Sequence, residues 1–208
     1  MGLISNGTTI FDAGALDSGL AKGAMTFIKK LTASGSGTLS FVDGASGVVL
    51  DSTYKEYVFT FKNIHPATDG QHLQFQANVA GGADYNETMT TTHFRAVHAE
   101  ADNDQYLHYH DDPSSFHQSN DNAFQPIATY LGGDTDQASN GILHLFDPSS
   151  TTFVKHFTSE FAVSNSNNYI QHHFVAGYFN VTAAIDEIQF KMTSGNIDAG
   201  DICLYGIS

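Results

Sequence analysis

The chain has 208 residues, of which 41% are hydrophobic and only 14% charged, and its 8 Lys plus Arg against 22 Asp plus Glu leave a formal charge of −14. That balance repels phosphate backbones and anionic lipid and argues against nucleic acid or a membrane surface as partner. No stretch approaches the ~20 apolar residues of a membrane-spanning helix, and the first residues lack the basic and apolar parts of a secretory signal. The 19 Gly, 16 Phe and 9 Tyr favour strands and turns over helix and supply large rings for a core. Cys203 is the single cysteine, so no intrachain disulfide forms, and its place in an alternating segment reads as a small buried hydrophobe.

In chain order, Met1–Gly23 is small and Gly-rich with scattered Ile10, Phe11, Leu16 and Leu20, and reads as an extended arm that packs on neighbouring subunits. The remainder, residues 24–208, reads as a single domain. Strands are expected at 24–32, 38–42 after the turn at Ser34-Gly35-Ser36-Gly37, 54–63 and 73–79. In the last of these Leu73, Phe75, Ala77 and Val79 alternate with Gln74, Gln76 and Asn78, so one face is buried and the other is an uncharged amide stripe, either solvated or a subunit contact. Further strands are expected at 90–98, 106–110, 127–131, 141–146, 152–160, 172–179, 187–192 and 202–205, with turn-forming clusters such as Gly132-Gly133-Asp134 and Asp147-Pro148-Ser149 between them. About twelve short strands at this spacing predict an all-β protein, an antiparallel β-sandwich or jelly roll with an extended N-terminal arm. Helix is expected only as a turn or two in 12–22 or 115–122.

Several constellations invite a chemical reading. His108-Tyr109-His110-Asp111-Asp112 places two imidazoles on one strand face with carboxylates beyond, so His108, His110 and Asp112 are weak metal-ligand candidates, with His93, His98 or His117 as a third imidazole. The acidic loops Ala101–Asp104 and Gly133–Asp136 lack the full pattern of a calcium loop and read as solvated turns. No nucleophile elbow, phosphate-binding Gly-rich loop or His-Glu-x-x-His motif occurs, so neither an enzyme nor a bound cofactor is expected. Tryptophan is absent, which weakens a sugar-binding groove, although Tyr85, Tyr106, Tyr109 and Tyr130 offer rings on which a glycan could stack, the first three in receptor-facing loops.

Four segments carry a family resemblance: 27–42 (Phe-Ile-Lys-Lys-Leu-Thr-Ala-Ser-Gly-Ser-Gly-Thr-Leu-Ser-Phe-Val), 54–67 (Tyr-Lys-Glu-Tyr-Val-Phe-Thr-Phe-Lys-Asn-Ile-His-Pro-Ala), 141–148 (Gly-Ile-Leu-His-Leu-Phe-Asp-Pro) and 195–206 (Gly-Asn-Ile-Asp-Ala-Gly-Asp-Ile-Cys-Leu-Tyr-Gly). In these the chain resembles small β-sandwich virion structural proteins of tailed bacteriophages of the marine and cyanobacterial type. The resemblance implies a capsid decoration, cement or head-fibre protein, or a tail-fibre or baseplate component, with no functional residues to carry over. It places the chain in the virion, made in the host cytoplasm without a signal peptide. A homotrimer that also contacts other virion proteins is the expected form, with a host-glycan-binding, receptor-binding module as the alternative.

Overall fold

A computed structural model describes residues 3–6, 8–12, 15–16, 24–109 and 116–208. Every regular element among them is a strand and none is a helix, as the Phe- and Gly-rich composition leads one to expect. Near the N-terminus, β1 (Leu3–Ser5), β2 (Thr8–Asp12) and β3 (Ala15–Leu16) pair with one another in a small antiparallel sheet. The segment expected as an extended arm is thus folded back on itself along these strands. Leu20 lies outside the described residues.

The rest of the chain forms two packed antiparallel sheets, a β-sandwich. Nine strands make the larger: β4 (Met25–Ser36), β6 (Glu56–Pro66), β8 (Met89–Ala99), β9 (Gln105–Tyr109), β10 (Ser119–Asp121), β12 (Ser139–Phe146), β13 (Lys155–Ser164), β14 (Tyr169–Phe179) and β16 (Ile197–Ile207). Their order is β10-β8-β14-β13-β12-β6-β16-β4, with β9 also pairing with β8. The smaller sheet is β11-β7-β15-β5, from β5 (Leu39–Val42), β7 (Gln71–Val79), β11 (Gln125–Leu131) and β15 (Ile185–Met192).

Each strand expected from alternation is present, and most run longer at their ends. β4 continues through Ser34-Gly35-Ser36, where a turn was expected, because Gly35 at φ +63° absorbs the irregularity without breaking pairing to β16. The stretch expected to hold a helical turn near 115–122 instead contributes the short strand β10, and Ala15–Leu16 of the other such stretch is extended. β15 and β16 are joined by the turn at Ser194-Gly195-Asn196, yet they belong to opposite sheets, so the last strand crosses the sandwich and inserts between β6 and β4.

The core between the sheets is aromatic. Phe190 of the small sheet meets Phe59 at 5.4 Å and Phe61 at 5.1 Å across the gap, and Phe75 meets Phe157 at 4.9 Å, mostly edge to face. Rings of this kind add about 0.5–1.5 kcal/mol per pair beyond their buried area. Room for two of them comes from glycines on neighbouring strands. A Cβ on Gly141 would lie 2.5 Å from the Phe161 ring, and one on Gly177 would lie 2.8 Å from the Phe157 ring. Both positions belong to the large sheet, so the glycines set how closely its rings settle against it.

The amide stripe of β7 departs from expectation. Gln74, Gln76 and Asn78 are buried, and Gln76 is wholly so. The chain's own loops cover this face: Gln76 Nε2 donates toward the carbonyls of Glu87, Asn122 and Ala123, each at 3.1 Å, while its Oε1 accepts from the Ala77 N–H at 2.8 Å. Asn78 donates to the Gly82 carbonyl at 3.2 Å. The stripe is neither solvated nor open to another subunit: backbone carbonyls take the amide hydrogens of Gln76 and Asn78, while Asn78 Oδ1 is buried without a partner.

Candidate functional site

Two regions of the large sheet concentrate unusual side chains: its inner face at the β8–β14 end, and its outer face over most of its width. On the inner face alternate residues of β8 and β14 give Thr91, His93, Gln171 and His173, all buried, where the other end of the sheet places Phe and Leu. A continuous hydrogen-bonded chain links them. His93 Nδ1 lies 3.2 Å from the Phe116 carbonyl, His93 Nε2 lies 2.9 Å from His173 Nδ1, and His173 Nε2 lies 2.9 Å from Gln171 Oε1, which also accepts from Arg95 Nη1 at 3.2 Å. The two oxygens at the ends accept only, so each outer ring nitrogen must carry a hydrogen. Two neutral rings bring two hydrogens to three contacts. A third proton would complete the chain and would put a charge in the interior near Arg95.

Burial opposes that charge. It holds His93 down at about 4, with the Phe116 carbonyl pulling the other way. His72, on β7 across the gap, is likewise pushed down to about 4, by burial first and by the Arg95 cation second. His72 accepts the Tyr130 N–H at Nδ1, 2.9 Å away, a bond that only the neutral ring can make. Tyr130 sits in the left-handed region at φ +57° within an irregular stretch of β11, and its ring lies 5.3 Å from the Arg95 guanidinium. His72 and His93 are thus held neutral in this polar core, with Arg95 as its cation.

Among the described residues the metal candidates form no ligand set. His108 pairs in register with Arg95 and so lies on the inner side of the sheet, while His98, paired with Gln105, lies on the outer side with Asp102 at 3.1 Å from its Nε2. His93 is committed to His173, and the His117 ring packs against Tyr109 at 5.6 Å. His110 and Asp112 lie outside the described residues. Among the described residues no three His, Cys, Asp or Glu side chains form a group able to hold a metal ion. A polar cleft of about 510 Å³ near the β6–β16 bulge gathers His65, Asp136 and Asp198, with His65 Nδ1 at 3.7 Å from Asp198 and His65 Nε2 at 3.2 Å from the Asp134 carbonyl. It brings an imidazole and carboxylates together, and the one hydroxyl among its lining residues is that of Thr135, for which no bond to His65 is seen.

The three tyrosines expected at a receptor face are also dispersed. Tyr106 and Tyr109 lie on β9 and are exposed, on opposite sides of the sheet by strand alternation. Tyr85 lies against the other sheet, beside Ser40 and Glu187, where burial and then its bond to Glu187 push its hydroxyl up to about 12.

The outer face of the large sheet had no sequence signal of its own. The pairing register lets its side chains be read in rows across the strands. One row runs Phe27, Tyr205, Val58, His144, Thr158, Ala176, Thr92. The next runs Lys30, Cys203, Thr60, Ile142, Glu160, Phe174, Phe94, Tyr109. The flanking rows add Met25, Ile207 and Phe146 on one side and His172, Ala96 and Leu107 on the other. Phe94 and Phe174 stack at 4.8 Å, and Phe27 meets Tyr205 at 5.6 Å. Phe27 is 57% exposed and Leu107 is 73% exposed. Across these rows three carboxylates, Glu56, Glu160 and Asp201, oppose two lysines, Lys30 and Lys62, a net charge of −1 with neutral histidines against −14 for the chain. Glu56 is further engaged with His144 at 2.5 Å.

Comparison with protein-family models, with curated proteins and with solved structures finds no match to this chain.

Proposed function

We propose that this chain is a non-enzymatic structural protein of a bacteriophage virion, a capsid decoration, cement or head-fibre protein or a tail or baseplate component, which works by assembling as a symmetric oligomer. The observation that carries the reading is the outer face of the large sheet, broad, aromatic and nearly balanced in charge on an otherwise acidic molecule, as a surface made for contact would be. The family resemblance adds to it. Its four segments cover β4, β6, β12 and β16, which lie side by side in the order β12-β6-β16-β4 and make one continuous half of that sheet, while the end of the first segment supplies β5 of the smaller sheet. The inner polar core is compatible with a passive role, since its imidazoles are tied to one another and to backbone groups.

The test is antibody labelling of intact particles. Virion association predicts regular labelling on the capsid or tail, and protein confined to infected-cell cytosol would overturn the reading. A second reading, binding of host surface glycan, draws on Tyr109 beside the stacked Phe94 and Phe174, a set of rings on which a sugar could lie. A glycan array without signal for the purified protein would remove it.

A further inference from the structure

We infer that the outer face of the nine-stranded sheet is covered by the same face of a second copy of this chain. The inference rests on the assembly reading above and names the partner of that surface.

Charge decides the occupant. Two chains at −14 repel at most approaches, and these rows, at a net −1, are a surface over which a pair can close without stacking carboxylate on carboxylate. A basic partner would find little to hold here: Glu56 bonds His144, Asp201 accepts from Thr32 and Lys30, and Glu160, 4.0 Å from His172, is the one carboxylate left largely open. Size agrees. Seven adjacent strands from β8 to β4 and four rows of side chains span roughly 30 Å by 20 Å, on the order of 600 Å² in projection, near the ~800 Å² each partner contributes to a stable interface.

The relief of the face also fits a copy of itself. Its centre, around Thr92, Thr158 and Ala176, is a shallow trough of small side chains, bounded by Phe94 and Phe174 on one side and His156 and Tyr178 on the other. A ridge of rings beside a trough is self-complementary under a twofold rotation, each ridge entering the other's trough. A dimer is therefore the smallest closed form, in place of the trimer expected from the sequence.

The experiment is sedimentation equilibrium of the purified full chain over a range of concentrations. The wild type is expected at twice the 22.4 kDa chain mass. Thr158→Glu sets a carboxylate in the trough of each copy and should weaken self-association by at least ~10-fold, the effect of one unfavourable charge contact. Ala162→Glu, at an exposed outer-face position four residues further along the same strand, should act in the same direction if Thr158→Glu folds poorly by circular dichroism. Ala83→Glu, in an exposed loop after β7, should leave the mass unchanged. A monomeric wild type, or dimers that persist in both face variants, would overturn the inference. So would equal loss of the dimer in Ala83→Glu. A monomer that nevertheless labels virions would sink the pairing and leave the virion reading intact, while a dimer confined to cytosol would do the reverse.

Discussion

The two faces of the large sheet are made from the same strands and differ in almost everything else. On the inner face β13 places Phe157, Phe161 and Val163, all buried, and on the outer face the intervening His156, Thr158, Glu160 and Ala162 are exposed. Within the inner face there is a second division, between the aromatic half over β6, β12 and β16 and the polar half over β8 and β14. The lesson is that burial and polarity are set separately. The polar half is as dry as the aromatic half but is held by directed bonds, and the outer face carries rings without being covered by the chain's own small sheet.

The polar half gives the largest expected effect. His72 and His93 titrate near 4 in the folded chain against ~6.5 when unfolded, so between those values the unfolded chain binds more protons. Stability should be fully present above pH 6.5 and fall as pH drops toward 4, by on the order of 3 kcal/mol for each ring. Denaturant titrations at pH 7 and pH 4.5 check it; equal stability at both would contradict the neutral polar core. The aromatic half should respond to truncation. Phe190→Ala removes the ring that meets Phe41, Phe59, Phe61 and Phe75 and should cost ~3–5 kcal/mol in urea unfolding.

Overpacking at the same half should cost less. Gly141→Ala drives a methyl into the Phe161 ring and the Glu160 carbonyl, at 2.5 and 2.6 Å, and should lower stability by ~1–3 kcal/mol; an unchanged unfolding midpoint would mean that the sheet spacing is not set there. The outer face should be the least sensitive. Phe146→Ala, at a partly exposed ring, should change the stability of the dilute monomer by less than ~1 kcal/mol. A loss as large as that of Phe190→Ala would mean that this face belongs to the monomer core.

Strand positions were legible because alternation survives wherever one face of a strand is buried: β8 and β13 follow it closely. β7 shows its limit. Its alternation is real, but both sets of side chains are buried, and a glutamine bonded to carbonyls cannot be told from one bonded to water by spacing alone. The crossing of β16 to the opposite sheet was hidden for a related reason, since a turn at Gly195 fits a hairpin and a crossover equally well. In the His108 neighbourhood strand spacing places two imidazoles and says nothing of a third, and of the third-ligand candidates His98 is turned to the other side of the sheet. The His93–His173 pair was missed outright: its partners are 80 residues apart, and only the register of β8 on β14 brings them together. The outer face escaped for the same reason, each strand contributing only one or two of its rings.

Cys203 reports directly on that face, because it lies in the second row between Lys30 and Thr60 and is partly exposed in the single chain. The decisive measurement is the rate at which a maleimide modifies its thiol as protein concentration is raised. Pairing through this face predicts a rate that falls at least ~10-fold as the dimer fills, in step with the sedimentation mass. A rate that stays constant while mass doubles would show that another surface makes the contact.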